Sequence, residues 1–173
     1  MLEFLTTKHE EQRVGIFVDV QNLYYSARNI YNSRVNFSAL IKESVGSRKL
    51  IRAIAYVIRA QMPEEQTFFD ALSKAVYEVK AKDLQVFFGG IKKGDWDVGI
   101  TMDMIRMMNK LDSIVLASGD GDYVPLVEYL KNFGVRVEII AFGKSSSSKL
   151  IDVADDFIDM DVNSKRFLIP IKK

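Results

Sequence analysis

The stretch Val14–Asp19 (VGIFVD) decides the fold class, because a nearly continuous apolar run ends there in a carboxylate. A short run of this β type is typical of a strand that is buried on both faces of a parallel sheet. A helix from about Gln21 to Ile30 is predicted directly after it. A strand that leads straight into a helix is the first half of a βαβ unit, so this pattern predicts that further parallel strands follow.

The rest of the chain repeats this alternation of strands and helices. Four more strands are predicted at Leu50–Ile58, Leu84–Phe88, Ser113–Ala117 and Val135–Ala141. Helices are predicted at 37–45, 64–80, 97–110, 123–133 and 149–154. The pattern predicts a three-layer, Rossmann-like α/β sandwich around a central parallel sheet of about five strands. Right-handed crossovers favour the strand order 3-2-1-4-5, in which the first and fourth strands are neighbours.

The ionisable residues narrow the chemistry that this chain can perform. The 173 residues include 24 Lys+Arg, 23 Asp+Glu, one His and no Cys, with a net charge of +1. The lack of Cys excludes disulfides, thiolate nucleophiles and Cys-based zinc sites, and the solitary His9 argues against a Ser-His-Asp triad. Near-neutrality means that nucleic-acid binding requires a local basic patch. Chemistry therefore falls to carboxylates, lysines, hydroxyls or a bound ion.

Location and domain organisation are predicted mainly from missing signals. Residues 1–12 lack the apolar core of a signal peptide, and no apolar run approaches the roughly 20 residues of a membrane span. We therefore expect a soluble cytoplasmic protein with no membrane partner. Without a repeat or a Pro/Gly-rich linker, we expect an N-terminal extension at 1–12, one domain at 13–160 and a C-terminal tail at 161–173. Edge strands and the apolar segment Phe167–Ile171 could support a homodimer.

Aspartates follow the two strands that the predicted topology places side by side. Asp19 ends the first strand, and Asp120 and Asp122 follow the fourth. Because ligands bind beyond the carboxyl ends of such strands in open α/β sheets, these side chains are expected in one crevice. Asp97 and Asp103 lie on the helix that precedes the fourth strand. Clustered oxygen ligands without His or Cys suit Mg²⁺ or Mn²⁺ rather than zinc.

Each of these aspartates also has a simpler interpretation, since Asp after a strand often caps the next helix. Asp120 or Asp122, for example, could cap the helix that is predicted near Tyr123. The convergence of two separate strand ends favours a site. Asp97 is preferred to Asp103, because six residues along a helix leave the two side chains roughly 120° apart.

Three motifs then give a specific resemblance to a known family. They are Asp19-x-x-Asn22-Leu23, Lys93-Gly94-x-x-Asp97-Val98 and Ser118-Gly119-Asp120-Gly121-Asp122-Tyr123-x-Pro125-Leu126. With Gly134-Val135-x-Val137 and the segment Leu150–Ile158, the chain resembles the NYN domain family of the PIN-like ribonuclease superfamily, in particular its LabA-like branch, over about residues 13–160. The resemblance implies a PIN-like fold and an acidic pocket that binds a divalent metal. It also implies a metal-dependent endoribonuclease acting on single-stranded or structured RNA.

The acidic pocket positions of the family match four aspartates of this chain. Asp19, Asp97, Asp120 and Asp122 are the implied catalytic residues and ligands of Mg²⁺ or Mn²⁺. Asp103, six residues after Asp97, is a further candidate ligand. Such a metal would bind a phosphodiester oxygen and lower the pKa of the attacking water.

Polar and basic residues near these acids are the candidate substrate-binding residues. Asn22 and Ser118 match family positions that hold carboxylates or a phosphate. Lys92 and Lys93 lie just before Asp97 and, with Arg106, could neutralise RNA phosphates.

One departure from the family and two rival functions remain open. Asp95 and Trp96 precede Asp97 where the family usually has a small apolar residue, so Trp96 is either a nucleobase platform or a packed aromatic. The first rival is a catalytically weak or inactive module of the same fold that binds RNA or protein. The second is an aspartate-based phosphatase, which Gln21 disfavours because that chemistry favours Asp at both 19 and 21. The acidic run from Asp152 to Asp161 is interpreted as a solvated face.

Overall fold

The computed structural model describes residues 8–61 and 65–171. Three predictions therefore extend outside the described residues. They are the N-terminal extension at 1–12, the helix that starts at 64 and the C-terminal tail that ends at 173. The strands are β1 (Arg13–Asp19), β2 (Ser33–Val35), β3 (Lys49–Arg59), β4 (Glu78–Asp83), β5 (Gln85–Val86), β6 (Lys92–Lys93), β7 (Ser113–Ala117), β8 (Arg136–Ala141), β9 (Asp156–Asp159) and β10 (Leu168–Pro170). The helices are α1 (Val20–Tyr31), α2 (Phe37–Val45), α3 (Glu65–Lys74), α4 (Asp97–Met107), α5 (Val124–Asn132), α6 (Ser148–Val153) and α7 (Ser164–Phe167).

Six strands form one sheet in the order β4-β3-β1-β7-β8-β9, and every neighbouring pair is parallel. The predicted three-layer α/β fold is confirmed, and β1 and β7 are neighbours as predicted. Val18 of β1 pairs with Ala117 of β7, so the loops that follow these strands leave the same edge of the sheet. The sheet has one more strand than predicted, because β9 adds to β8 at the far edge.

The opposite edge of the sheet differs from the prediction. The edge strand is Glu78–Asp83, whereas the sequence predicted a helix as far as residue 80 and a strand at Leu84–Phe88. Helix α3 ends at Lys74, and Val76 adopts a φ of 75°, which a β-branched residue rarely tolerates and which breaks the helix. Part of Leu84–Phe88 instead pairs with β6 as an antiparallel hairpin.

The acidic run at 152–161 contains β9, and its aspartates are exposed or half-buried, in agreement with a solvated face. Its carboxylates accept hydrogen bonds from the backbone. Asp155 Oδ2 accepts from Val137 N at 2.8 Å, and Asp159 Oδ1 accepts from Gly143 N at 3.0 Å. These bonds tie the run to β8 and to the loop after it.

A buried acid with several partners lies at the amino edge of the sheet. Glu138 of β8 is fully buried and accepts hydrogen bonds from Arg48 Nη1 at 2.7 Å, Arg136 Nε at 3.1 Å and Ser113 Oγ at 2.9 Å. Burial alone would raise the pKa of Glu138, but the hydrogen bond and charge of Arg48, with lesser contributions from Lys8 and Ser113, lower it to about 2. We call Arg48, Ser113, Arg136 and Glu138 the amino-edge cluster.

The C-terminal segment packs against its own chain. β10 pairs antiparallel with β2, joining Leu168 to Val35 and Pro170 to Ser33. Within the described residues, every helix is too short or too polar to traverse a bilayer. The predicted homodimer stays a prediction.

Candidate active site

Three carboxylates meet at the carboxyl edge of the sheet. Asp97, Asp120 and Asp122 each offer an oxygen atom, and these atoms all lie within 4.8 Å of one another. Asp97 begins α4, whereas Asp120 and Asp122 lie in the loop after β7. We call these three residues the acidic group. Parallel β1 and β7 create the open edge at which the loop after β7 and the start of α4 meet.

Asp19 lies beside the acidic group but is not one of its three members. It is 8% exposed and lines a cavity of about 160 Å³, the acidic cavity, together with Asp97 and Asp120. Asn22 N donates to Asp19 Oδ1 at 3.2 Å, which caps α1. Ser118 Oγ donates to Asp19 Oδ2 at 3.2 Å. Asp19 is therefore both a helix cap and a wall of the cavity, so the two interpretations of this residue are compatible.

The loop after β7 is held tightly against its neighbours. Asn22 Oδ1 accepts from Gly119 N at 3.0 Å, which joins α1 to this loop. A Cβ atom at Gly119 would lie 2.3 Å from Ser146 Oγ, so only glycine fits there. Asp120 Oδ1 accepts from Asp122 N at 3.0 Å and caps the single 3₁₀ turn that follows. The carboxylates are therefore positioned by the backbone before any ligand binds.

The electrostatics of the site disfavour the charged forms of Asp19 and Asp97. Burial raises the pKa of Asp19 to about 6, and the charges of Asp97 and Asp120 add to this rise. Burial also raises the pKa of Asp97, as do the nearby carboxylates of Asp120, Asp95 and Asp122. Among the described residues, no Lys, Arg or His forms an ion pair with Asp19 or with the acidic group. A bound cation would relieve this repulsion.

Tyr123 is a site residue to which sequence reasoning gave no role. It is buried, and its hydroxyl donates to Asp97 Oδ1 at 3.1 Å. This bond fixes the orientation of the Asp97 carboxylate. Burial, followed by the charges of Asp19 and Asp97, raises the pKa of Tyr123, so the phenol stays protonated and remains a donor.

Gln21 and Tyr25 were also missed, and both line the acidic cavity. They are four residues apart on α1, and Tyr25 is three residues from Asn22. Residues at these spacings share one face of a helix. Helical spacing from Asn22 was therefore the signal that could have identified Tyr25.

Asp103 and Arg106 pair with each other instead of joining the acidic group. Asp103 Oδ2 accepts from Lys80 Nζ at 2.7 Å and from Tyr56 Oη at 2.8 Å, and Arg106 Nη1 lies 3.5 Å from its Oδ1. Burial opposes ionisation of Asp103, but the hydrogen bonds from Lys80 and Tyr56 lower its pKa overall. The charge of Asp103 is therefore balanced by protein cations, and Asp103 does not line the acidic cavity.

The basic residues before Asp97 lie on the hairpin, and Trp96 is packed. Lys92 and Lys93 form β6 and are exposed. Trp96 Nε1 donates to Val57 O at 2.8 Å, and its ring packs edge-on against Tyr56 at 5.2 Å between centroids. Lys82 Nζ also lies over the ring, 4.4 Å from its centroid. These contacts agree with the packed aromatic, but Trp96 also lines the acidic cavity, so the nucleobase platform stays a prediction.

A sequence model of the NYN domain matches residues 13–161, so the chain belongs to the NYN domain family. It is also 26% identical over 160 residues to the low amplitude and bright protein LabA of Synechococcus elongatus, covering 86% of this chain and 84% of LabA. This similarity supports the predicted LabA-like branch. A crystal structure of a protein of unknown function from Vibrio parahaemolyticus is 33% identical and has a TM-score of 0.85, covering 94% of this chain and 99% of that chain.

Proposed function

We propose that this protein is a metal-dependent endoribonuclease that hydrolyses RNA phosphodiester bonds at the acidic cavity. The observation that carries the proposal is the approach of the Asp97, Asp120 and Asp122 oxygens to within 4.8 Å of one another. Membership of the NYN family and the resemblance to PIN-like ribonucleases support RNA as the substrate class. Asp19, in the same cavity, adds a fourth carboxylate.

The residues present fit a hard divalent cation. All four candidate ligands are carboxylates, and oxygen ligands without His or Cys suit Mg²⁺ or Mn²⁺. When bound, such an ion polarises a phosphodiester oxygen and lowers the pKa of a coordinated water. The raised pKa of Asp19 supports a cation here, because the protein alone does not balance this charge.

The chain itself would orient the carboxylates and bind the RNA. Tyr123 holds Asp97, while Ser118 and Asn22 hold Asp19, so the ligands are positioned in advance. Pre-positioning of this kind lowers the cost of reaching the reactive geometry. Lys92 and Lys93, exposed on the adjacent hairpin, would contact phosphates that flank the scissile bond.

The test is cleavage of labelled single-stranded and structured RNA in Mn²⁺ by the double variant Asp19→Asn with Asp120→Asn. We expect the rate to fall by about two orders of magnitude or more, since two charged ligands are removed. The matched control is Asp70→Asn with Glu128→Gln, which removes two exposed carboxylates elsewhere. Thermal melting followed by circular dichroism verifies that both variants fold.

Unchanged cleavage by the Asp19 and Asp120 variant would refute the proposal. The alternative is a regulatory module of the same fold that binds RNA or protein without turnover. Wild-type protein that binds RNA and does not cut it in either Mg²⁺ or Mn²⁺ would favour that alternative.

A further inference from the structure

A short hairpin next to the acidic cavity presents apolar side chains to solvent. β5 and β6 pair with Gln85 opposite Lys93 and Val86 opposite Lys92. Four apolar residues of the hairpin are exposed, with relative accessibilities of 64% for Val86, 49% for Phe87, 105% for Phe88 and 66% for Ile91. Apolar side chains that stay exposed contribute no burial free energy to the fold, and exposed apolar patches commonly mark interaction sites. We call residues 85–93 the hairpin arm.

The turn of the hairpin arm fixes Phe88 at its apex. Gly90 N donates to Phe87 O at 3.1 Å, and Phe87 N donates to Ile91 O at 2.7 Å. Gly89 and Gly90 have φ values of 90° and 82°, which glycine adopts without strain. A positive φ at the third residue of a four-residue turn is the pattern of a type II turn. Phe88 is thus the corner residue of a defined turn.

The two charged residues within the hairpin arm itself are both positive. Lys92 and Lys93 are exposed on β6. The nearby carboxylate of Asp83 is paired with Arg59 at 2.9 Å. This charge complements phosphate groups, and it disfavours pairing with the lysines of a second copy of the arm.

The hairpin arm is anchored beside the acidic cavity. Lys93 and Asp97 are four residues apart, so at most about 14 Å of chain separates them. A Cβ atom at Gly94 would lie 3.1 Å from both Ile58 and Leu84, so this segment sits directly on β3. The base of the arm therefore lies close to Asp97, and an RNA strand held by the arm can extend from there towards the carboxylates.

We propose that the hairpin arm is a base-stacking site for single-stranded RNA. Phe87 and Phe88 stack on unpaired bases, and Lys92 and Lys93 contact the phosphates between them. Aromatic side chains combined with lysines are the usual surface for single-stranded nucleic acids, and stacking tolerates any base. The inference rests on the proposed function, because the strand held by the arm is the one that enters the acidic cavity.

Fluorescence anisotropy of a short labelled single-stranded RNA in EDTA tests binding without cleavage. Phe88→Leu keeps an apolar side chain but removes the π-face, so we expect about fivefold weaker binding or more. Phe88→Tyr should keep wild-type affinity. Phe133→Leu is the matched control, because Phe133 is 58% exposed at the end of α5. Since Phe88 is fully exposed, no variant at this position should change the melting temperature.

Salt dependence separates the lysines from the aromatics. Lys92→Gln with Lys93→Gln should reduce the slope of log affinity against log salt by about 1.4, since each phosphate that a lysine neutralises contributes about 0.7. Phe88→Leu should leave that slope unchanged. Duplex RNA of the same sequence should bind equally to wild type and Phe88→Leu, because its bases are already stacked.

The proposal is overturned if wild type fails to bind the single strand in EDTA, or if Phe88→Leu binds it as tightly as wild type. A concentration-dependent dimer that Phe88→Leu abolishes, with unchanged RNA affinity, would instead assign the arm to a second copy of the chain. RNA binding that depends on Phe88, without any cleavage, would support the arm as an RNA-binding site and refute the nuclease function. Cleavage that requires Asp19 and Asp120 but does not depend on Phe88 would support the nuclease function and refute the role of the arm.

Discussion

The two edges of the central sheet differ in how the charge of a buried acid is balanced. At the amino edge, Glu138 is fully buried and is met by Arg48 and Arg136. At the carboxyl edge, Asp19 is 8% exposed and faces Asp97, with no cation paired to it among the described residues. Arginine holds the pKa of Glu138 at about 2 against the effect of burial, whereas burial raises the pKa of Asp19 to about 6.

The difference shows which charges the fold balances for itself. A buried acid that is paired and hydrogen-bonded is part of the folded structure, and removing its partner is costly. A buried acid without a cation opposes folding, unless a ligand from outside supplies the missing charge. Among the described residues, the carboxyl edge therefore leaves the buried charge of Asp19 unpaired, which supports the cation that we propose there.

The largest expected effect on stability is at the amino edge. Arg48→Met leaves Glu138 buried with incomplete charge balance, so we expect a loss of about 3 kcal/mol in the free energy of unfolding. Urea denaturation measures it, with Arg28→Met as the control for an exposed arginine. A loss no greater than that of the control would contradict the role given to the amino-edge cluster.

The pH dependence of this effect follows from the sign of the pKa shift. Because the folded-state pKa of Glu138 is lowered from 4.5 to about 2, its stabilising contribution is present above about pH 4.5. The contribution is lost as the pH falls towards 2. The difference between wild type and Arg48→Met should therefore shrink below about pH 4.5.

At the carboxyl edge, removing a charge should stabilise the protein instead of destabilising it. The folded-state pKa of Asp19 is raised from 3.8 to about 6, so the folded protein binds the proton more tightly than the unfolded chain. Stability in EDTA then falls as the pH rises from about 4 to about 6. Asp19→Asn keeps a good cap for α1 and removes the charge. We expect it to stabilise the protein by about 2 kcal/mol at pH 7.5 and not at pH 4.

Bound Mn²⁺ should reverse the order of stability of wild type and Asp19→Asn. Saturation with Mn²⁺ at about 100 times its Kd should stabilise wild type by about 2.7 kcal/mol, and removal by EDTA should abolish the gain. Asp19→Asn should gain less, because it has lost a candidate ligand. Melting temperatures with and without Mn²⁺ measure both effects. Destabilisation by Asp19→Asn in EDTA at both pH values would contradict this account of the carboxyl edge.

The sequence predicted the middle of the sheet better than its edges. β1, β7 and β8 are buried almost throughout, so their apolar runs report burial directly. The edge strand β4 is only partly buried, and its polar residues gave no strand signal. The apolar run at Leu84–Phe88 resembled a buried strand but forms part of an exposed hairpin. An apolar run therefore predicts a strand of the central sheet only where its side chains are buried in the core.

The candidate site could be predicted where it depended on topology alone. Adjacent strand ends were enough to predict that Asp19 and Asp120 line one cavity, which the structure contains. The contact of Tyr123 with Asp97 and that of Lys80 with Asp103 join separate elements of the fold. No spacing along the chain could indicate these contacts, because they depend on how α4 packs.

Asp97 and Asp103 lie on the same helix but differ in whether protein cations balance their charge, and here the smallest effect on stability is expected. Asp103→Asn weakens the contact with Lys80, which is partly exposed, so we expect a loss of about 1 kcal/mol or less. Mn²⁺ affinity should stay the same, because the charge of Asp103 is already balanced. Asp97→Asn should instead weaken Mn²⁺ binding about tenfold or more, since it removes one oxygen ligand of the acidic group. Isothermal titration with Mn²⁺ measures both variants, and equal losses of affinity would place Asp103 in the metal site after all.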